Sequence, residues 1–310
     1  SYVNGGGGCI DMATVTVNIA PAAISGSTAI CGPGSTITLS DTTPYGSWSS
    51  SDTAVVTINS STGVASGVSG GTAVITYSTG CSTVATKVIS VDVTPVTGTL
   101  SVCVGSATTL SYAGEEGTWS SSNAGIATID SVAGVVTGVS AGTVVISSAH
   151  EYCIDHVVVT VNALPASIGG TLSVCLGSVT TLTDATSGGT WSSSNGNATV
   201  GSSSGIVTGV TAGNSTITYT LSTGCINIAV ITVNPLPAAI SGTLSVCAGL
   251  STTLTDIDAG GTWISNNGNA TVGSSSGVVT GVAAGTSIIT YTIGTGCAGT
   301  AIITVNPVSY

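Results

Sequence analysis

Positive charge is almost missing from this chain. Its 310 residues include one lysine, Lys87, and no arginine, against 12 acidic residues, for a formal net charge of −11. Nucleic acids and anionic membrane surfaces are held by clustered Lys and Arg, so both are excluded as partners. Charged residues of either sign make up 4%, where an ordinary domain carries about 25%. No apolar run approaches the roughly 20 residues that a membrane-spanning helix needs, so no membrane span is read. No segment keeps a helical period. Acid–base chemistry has little to draw on, with two histidines, His150 and His156, and no catalytic constellation. One lysine in the whole chain also excludes an isopeptide cross-link in every domain. No secretory leader precedes Ser1, so the chain reads as a mature or excised piece of something longer.

What is present is repetition, the first thing to look for in a sequence. The stretch Gly189–Val210 (GTWSSSNGNATVGSSSGIVTGV) returns almost unchanged at Gly261–Val282, more loosely at Gly117–Val139 and in diverged form at Gly46–Val68. Cysteines set the period. Cys31, Cys103, Cys175 and Cys247 lie 72 residues apart, and so do Cys9, Cys81, Cys153, Cys225 and Cys297. Trp48, Trp119, Trp191 and Trp263 keep step with them. One supersecondary unit has been copied in tandem. The expected boundaries are 1–20 (the last strand of an incomplete unit), 21–93, 94–163, 164–235 and 236–310. Such a start suggests either a window cut from a longer array or a protomer whose ends meet its neighbours.

Repeat 3 predicts seven short strands at roughly ten-residue spacing, separated by Gly, Ser and Asn turns, which signals an all-β sandwich. Short Pro-containing linkers join the units, as in Asn234-Pro235-Leu236-Pro237. Proline fixes its own φ and holds the preceding residue extended, so the linkers read as stiff, and an extended rod is expected. A 72-residue sandwich has a shallow core and often needs a staple. Nine cysteines in that setting imply an oxidising, extracytoplasmic compartment.

The string W-S-S-S-N…A-T-V-x-S-S-S-G-x-V-T-G-V-x-A-G…I-T-Y, at Trp191–Tyr219 and in near-identical form at Trp263–Tyr291, resembles the bacterial immunoglobulin-like group 2 domain. The likeness extends over all four units and is weakest in the first. It implies tandem seven-stranded sandwiches of the kind found in intimin- and invasin-type adhesins and other giant secreted surface proteins. It implies no catalytic residues and no cofactor.

Two cysteine pairings fit the spacing. One lies within a unit: Cys31–Cys81, Cys103–Cys153, Cys175–Cys225 and Cys247–Cys297. The other joins neighbouring units: Cys31–Cys153, Cys103–Cys225 and Cys175–Cys297, leaving Cys9, Cys81 and Cys247 unpaired or awaiting neighbours. In a sandwich of the implied topology, the two cysteines of one unit sit at opposite poles. A strand of six or seven residues separates the poles by roughly 20 Å, while a disulfide spans about 7 Å between Cα atoms. Inter-unit pairing is therefore favoured. A zinc site is not, since no C-x-x-C spacing occurs.

Other candidates are weaker. Each repeated Trp lies on the third strand, where such sandwiches bury one. His150, Glu151, Asp155 and His156 flank Cys153, and Glu115 and Glu116 should share their pole. That group reads as a solvated hairpin tip, with a metal or binding spot the alternative. Gly5–Gly8 lacks the strand–loop–helix setting of a phosphate loop. The triplets that hold Thr42, Thr53 and Ser131 resemble a short bacterial O-glycosylation signal. Taken together, the sequence suggests the structural body of an extracellular bacterial filament or cell-surface stalk. Its expected partners are copies of itself, end to end or side by side, with glycans or a host or biofilm surface as further contacts. An adhesin or carbohydrate-binding surface array is the alternative.

Overall fold

The computed structural model describes residues 17–93, 95–112, 117–150 and 153–308. It divides into two compact units, residues 1–162 and 163–310, and each holds two sandwiches with separate cores. The described residues are all β, a tandem array of immunoglobulin-like sandwiches. Cys9 and the Gly5–Gly8 run lie outside the described residues, as do Glu115, Glu116 and Glu151.

Repeat 3 shows the plan. One sheet runs in the order Ser173–Cys175, Ile226–Asn234, Gly213–Thr220, Thr190–Ser193. The other runs Gly169–Gly170, Val179–Thr183, Ile206–Gly209, Ala198–Val200. Eight strands stand where seven were expected: the additional one, Gly169–Gly170, precedes Ser173–Cys175 and lies in the other sheet. Gly170 makes the switch. Its φ is +112°, and a Cβ there would meet the Thr181 carbonyl at 2.6 Å. Only glycine takes that backbone at little cost. Past it, the chain leaves an antiparallel pairing with Val179–Thr183 and joins Ile226–Asn234 in parallel, Cys175 opposite Asn234.

Period-2 alternation then sorts the side chains. Ile217 and Tyr219 face inward from one strand, and Ile231 and Val233 from its partner. They meet Val174, Leu182, Trp191, Ala198 and Val207 in a small core. The same register turns Ile226, Ile228 and Val230 outward, 48%, 56% and 53% exposed.

Trp48, Trp119, Trp191 and Trp263 are all buried. Gly205, at φ +66°, lies against the Trp191 indole, and a Cβ on it would stand 2.4 Å from the Leu182 carbonyl. That close approach explains why W and SSSG travel together in the repeat. The ring of Tyr219 sits 4.6 Å from that of Trp191. Its hydroxyl donates to the Thr186 carbonyl (2.7 Å) and accepts from the Gly189 N–H (2.9 Å), which ties down the loop before the Trp strand. Tyr77 and Tyr291 do the same in repeats 1 and 4. Repeat 2 has Ser148 at this place.

Tyr219→Phe removes one donor and one acceptor from part-buried backbone groups. It should destabilise repeat 3 by about 1–3 kcal/mol, read from the urea midpoint of Trp191 fluorescence. A change below a few tenths of a kcal/mol would show the loop is held by other contacts.

Candidate functional site: the cysteine junctions

Each repeat carries one cysteine at the end of its early strand and one at its final hairpin. Cys31 ends Ala29–Cys31, which runs parallel to the repeat's last strand with Cys31 opposite Asp92. Cys153 begins the last strand of repeat 2, opposite His150. The structure joins Cys31 to Cys153, with Cα atoms 5.4 Å apart, and Cys175 to Cys297, with Cα atoms 5.6 Å apart. Both bridges span 122 residues of sequence. Both lead from the early strand of one repeat to the hairpin of the next repeat in the same unit. Cys31 and Cys175 are therefore not bonded within their own repeats. Cys103 and Cys225 are also disulfide-bonded. Cys81 and Cys247 hold free thiols.

The bridged hairpin cysteines, Cys153 and Cys297, are 6% and 0% exposed. The place where each early cysteine meets the last strand is set by a side-chain clamp. Asn162, Asn234 and Asn306 each donate from Nδ2 to the serine two residues before the early cysteine (Ser101, Ser173 and Ser245) at 2.7, 2.7 and 2.8 Å.

Repeat 1 departs from this pattern. Asp92 stands where the others have Asn, and Ala29 where they have Ser. The Asp92 carboxylate instead faces the incoming hairpin of repeat 2. It lies 3.0 Å from His150 Nε2 and accepts from the Tyr112 hydroxyl. The imidazole packs on the Tyr112 ring, centroids 4.1 Å apart, and its Nε2 is 3.5 Å from Asp155. The His150 side chain is 9% exposed, so His150 itself is not part of the solvated group that the sequence suggested. Its polar groups close around the Cys31–Cys153 bridge, beside an open cleft of about 150 Å³. Donor atoms of Asp92, His150 and Cys153 lie within 4.8 Å of one another. A metal needs the thiolate form of cysteine, and Cys153 is committed to the bridge, so the cluster is built as a seam between two repeats. His156 stands apart on the exposed face, its Nδ1 2.8 Å from Ser147 Oγ. Asp92 could have been found from sequence as the one acidic residue in a column of Asn18, Asn162, Asn234 and Asn306. Its role depends on His150 and Tyr112, which no spacing places beside it.

Thr42, Thr53 and Ser131 are exposed. The aspartate before each closes a local turn: Asp41 accepts from the Thr43 N–H, Asp52 from Ala54, and Asp130 from Val132 and Ala133. Asx turns account for the aspartate in each triplet without a modification. The two N–H donors hold the Asp130 carboxyl below its ordinary value. A depressed carboxylate pKa stabilises above the unfolded-state value and loses its effect as pH falls through the folded-state value. The turn should therefore stay closed through the ordinary Asp range and open only at lower pH. The Val132 and Ala133 amide shifts check this, and movement centred on the ordinary Asp pKa would contradict it.

Replacing both Cys175 and Cys297 by serine should leave the two sandwiches of unit 2 folded, since each has its own core. It should separate their unfolding into two transitions in a urea titration followed by Trp fluorescence. One unchanged cooperative transition would mean the bridge does not couple them.

No family model and no curated protein matches the chain. Several solved structures are similar to it. Domains 1–6 of the surface layer protein SbsC are 17% identical, covering 95% of this chain and 55% of their own, with a TM-score of 0.23. The C-terminal 282-residue fragment of intimin, solved with the intimin-binding domain of the translocated intimin receptor, is 16% identical over 47% of this chain and 66% of its own, TM-score 0.35. Invasin, described as a bacterial integrin-binding protein, is 14% identical over 92% of this chain and 80% of its own, TM-score 0.32. The chain spans about half the length of the SbsC structures. The likeness is one of fold.

Proposed function

We propose that the chain is a structural repeat protein, the body of an extracellular bacterial filament or cell-surface stalk, stiffened by disulfides and short proline linkers. The observation that carries this reading is the pair of like bridges, Cys31–Cys153 and Cys175–Cys297, each tying one repeat to the next at a sequence separation of 122. A bridge between repeats adds nothing to the core of either one. It restricts the angle between them, which matters for a molecule that must be long and stiff. The proposed third bridge, Cys103–Cys225, extends the same device across the middle of the chain.

Charge supports the reading as well. Free sheet edges and faces are commonly guarded by charged residues, lysine above all, and this chain has one lysine. The outward row Ile226, Ile228 and Val230 fits side-by-side packing of copies. An adhesin or carbohydrate-binding array would place its contacts on loops that vary between repeats. The hairpin end that varies most, at His150, is drawn into the junction.

Electron micrographs of the native material test the proposal. Long uniform fibres whose axial spacing corresponds to one 72-residue repeat are expected, and isolated short particles would overturn it. Ile228→Lys with Val230→Lys should change the thermal midpoint of the chain little, because both residues are more than half exposed and outside the core, and should disperse lateral bundles. Bundles that persist would place the lateral contact elsewhere.

A further inference from the structure

We infer that Cys81 and Cys247 are two open halves of further bridges of the same kind. Cys81 takes the early-strand cysteine of a preceding repeat, and Cys247 the hairpin cysteine of a following one. This rests on the filament reading and names the chemistry of its joint.

Position is the first ground. Cys247 stands 72 residues beyond Cys175, which bonds to a hairpin cysteine, and Cys81 stands 72 residues before Cys153, which bonds to an early-strand cysteine. Local structure is the second and independent ground, because both seats are already built. Cys247 pairs with Asn306 just as Cys175 pairs with Asn234. Beyond it, the Ala248 N–H donates to the Asn306 carbonyl at 2.9 Å, the same distance as Leu176 to Asn234. At the other end, the Cys81 thiol donates to the carbonyl of Asn18 at 2.9 Å. Asn18 holds the column position of Asp92 and Asn234, the residues that pair with the early cysteines Cys31 and Cys175. The free thiol therefore already lies at the place where the missing partner would sit. Exposure agrees at the hairpin seat, where Cys153 and Cys297 are buried in their bridges and Cys81 is only half-buried, while Cys247 is exposed like the bridged early-strand Cys31 and so is open to a partner.

The two halves are complementary, so one chain's Cys247 fits the next chain's Cys81. The same chemistry is met by further repeats on a longer chain. Formation balances as thiol–disulfide exchange. One thiolate attacks a small-molecule disulfide such as oxidised glutathione and releases one reduced glutathione. The second thiolate then displaces the other glutathione from the mixed disulfide. Two thiols and one glutathione disulfide become one protein disulfide and two glutathione thiols.

The test has two arms. The purified 310-residue chain, reduced and then held in a glutathione redox buffer, should form a ladder of head-to-tail multimers on a non-reducing gel, with a Cys247–Cys81 cross-linked peptide in the digest. A mixture of Cys81→Ser and Cys247→Ser chains should stop at the dimer. Native material, alkylated before digestion without reduction, should show neither cysteine as a free thiol. Partner peptides from another copy place the joint between chains, and partners from repeats outside these 310 residues place it within a longer chain. Free, alkylatable Cys81 and Cys247 in native material would overturn the inference, as would symmetric Cys247–Cys247 pairs or a Cys81–Cys9 bond. The filament reading fails separately: fibres with the axial repeat but free thiols remove the bridge and leave the fibre.

Discussion

The parallel pairing of each repeat's early strand with its last strand governs the rest of the structure. Antiparallel neighbours would carry the early cysteine away from the chain's exit. Parallel ones bring the two together, so that Cys31 ends opposite Asp92 and Cys175 opposite Asn234. At those points the backbone leaves for the next repeat, and the early cysteine is one strand spacing away, roughly 5 Å. The next repeat is consequently fastened twice, by peptide and by disulfide, at neighbouring points. A single tether leaves a hinge free to swing. Two adjacent tethers remove most of that freedom while asking nothing of the core.

Glycine makes the parallel pairing reachable. The chain must start in one sheet and lay its next strand in the other, and the switch needs a residue at positive φ pressed against a neighbouring backbone. Gly98, Gly170 and Gly242 all meet that demand, at φ +125°, +112° and +123°. The Asn–Ser clamp then fixes register at the cysteine itself. In repeat 1, where clamp and partner are both replaced, the freed carboxylate of Asp92 turns to His150 and Tyr112. The same position serves a junction in both cases, from within the repeat or from across the seam.

The fold could be read from the sequence largely because the repeat shows it four times. Period-2 alternation around Trp191 and Tyr219, with glycine and serine turns every ten residues or so, specifies strands whatever their partners are. What spacing could not give was sheet membership, and the additional strand was missed. The missed piece, Gly169–Gly170, is two glycines with no alternation to show, whereas the run ending at Cys175 reads as a strand. His150 was misread as solvated because burial at a hairpin tip is decided by the neighbouring repeat. A single repeat's pattern contains no information about that neighbour. Asp92 was legible only as an odd residue in a column of asparagines.

Small cores and covalent seams belong together here. Repeat 3 buries nine apolar residues in its main cluster, and a sandwich of this size removes only about 60–65% of its unfolded surface from water. Enlarging the core would lengthen the strands and move the early cysteine out of register with the chain's exit. More surface charge would add long-range repulsion between neighbouring repeats or copies. Strengthening the joint instead of the unit leaves the 72-residue step intact, and every added copy inherits the same connection. Within each unit the bridge Cys31–Cys153 or Cys175–Cys297 restricts one sandwich against the next whatever the depth of either core.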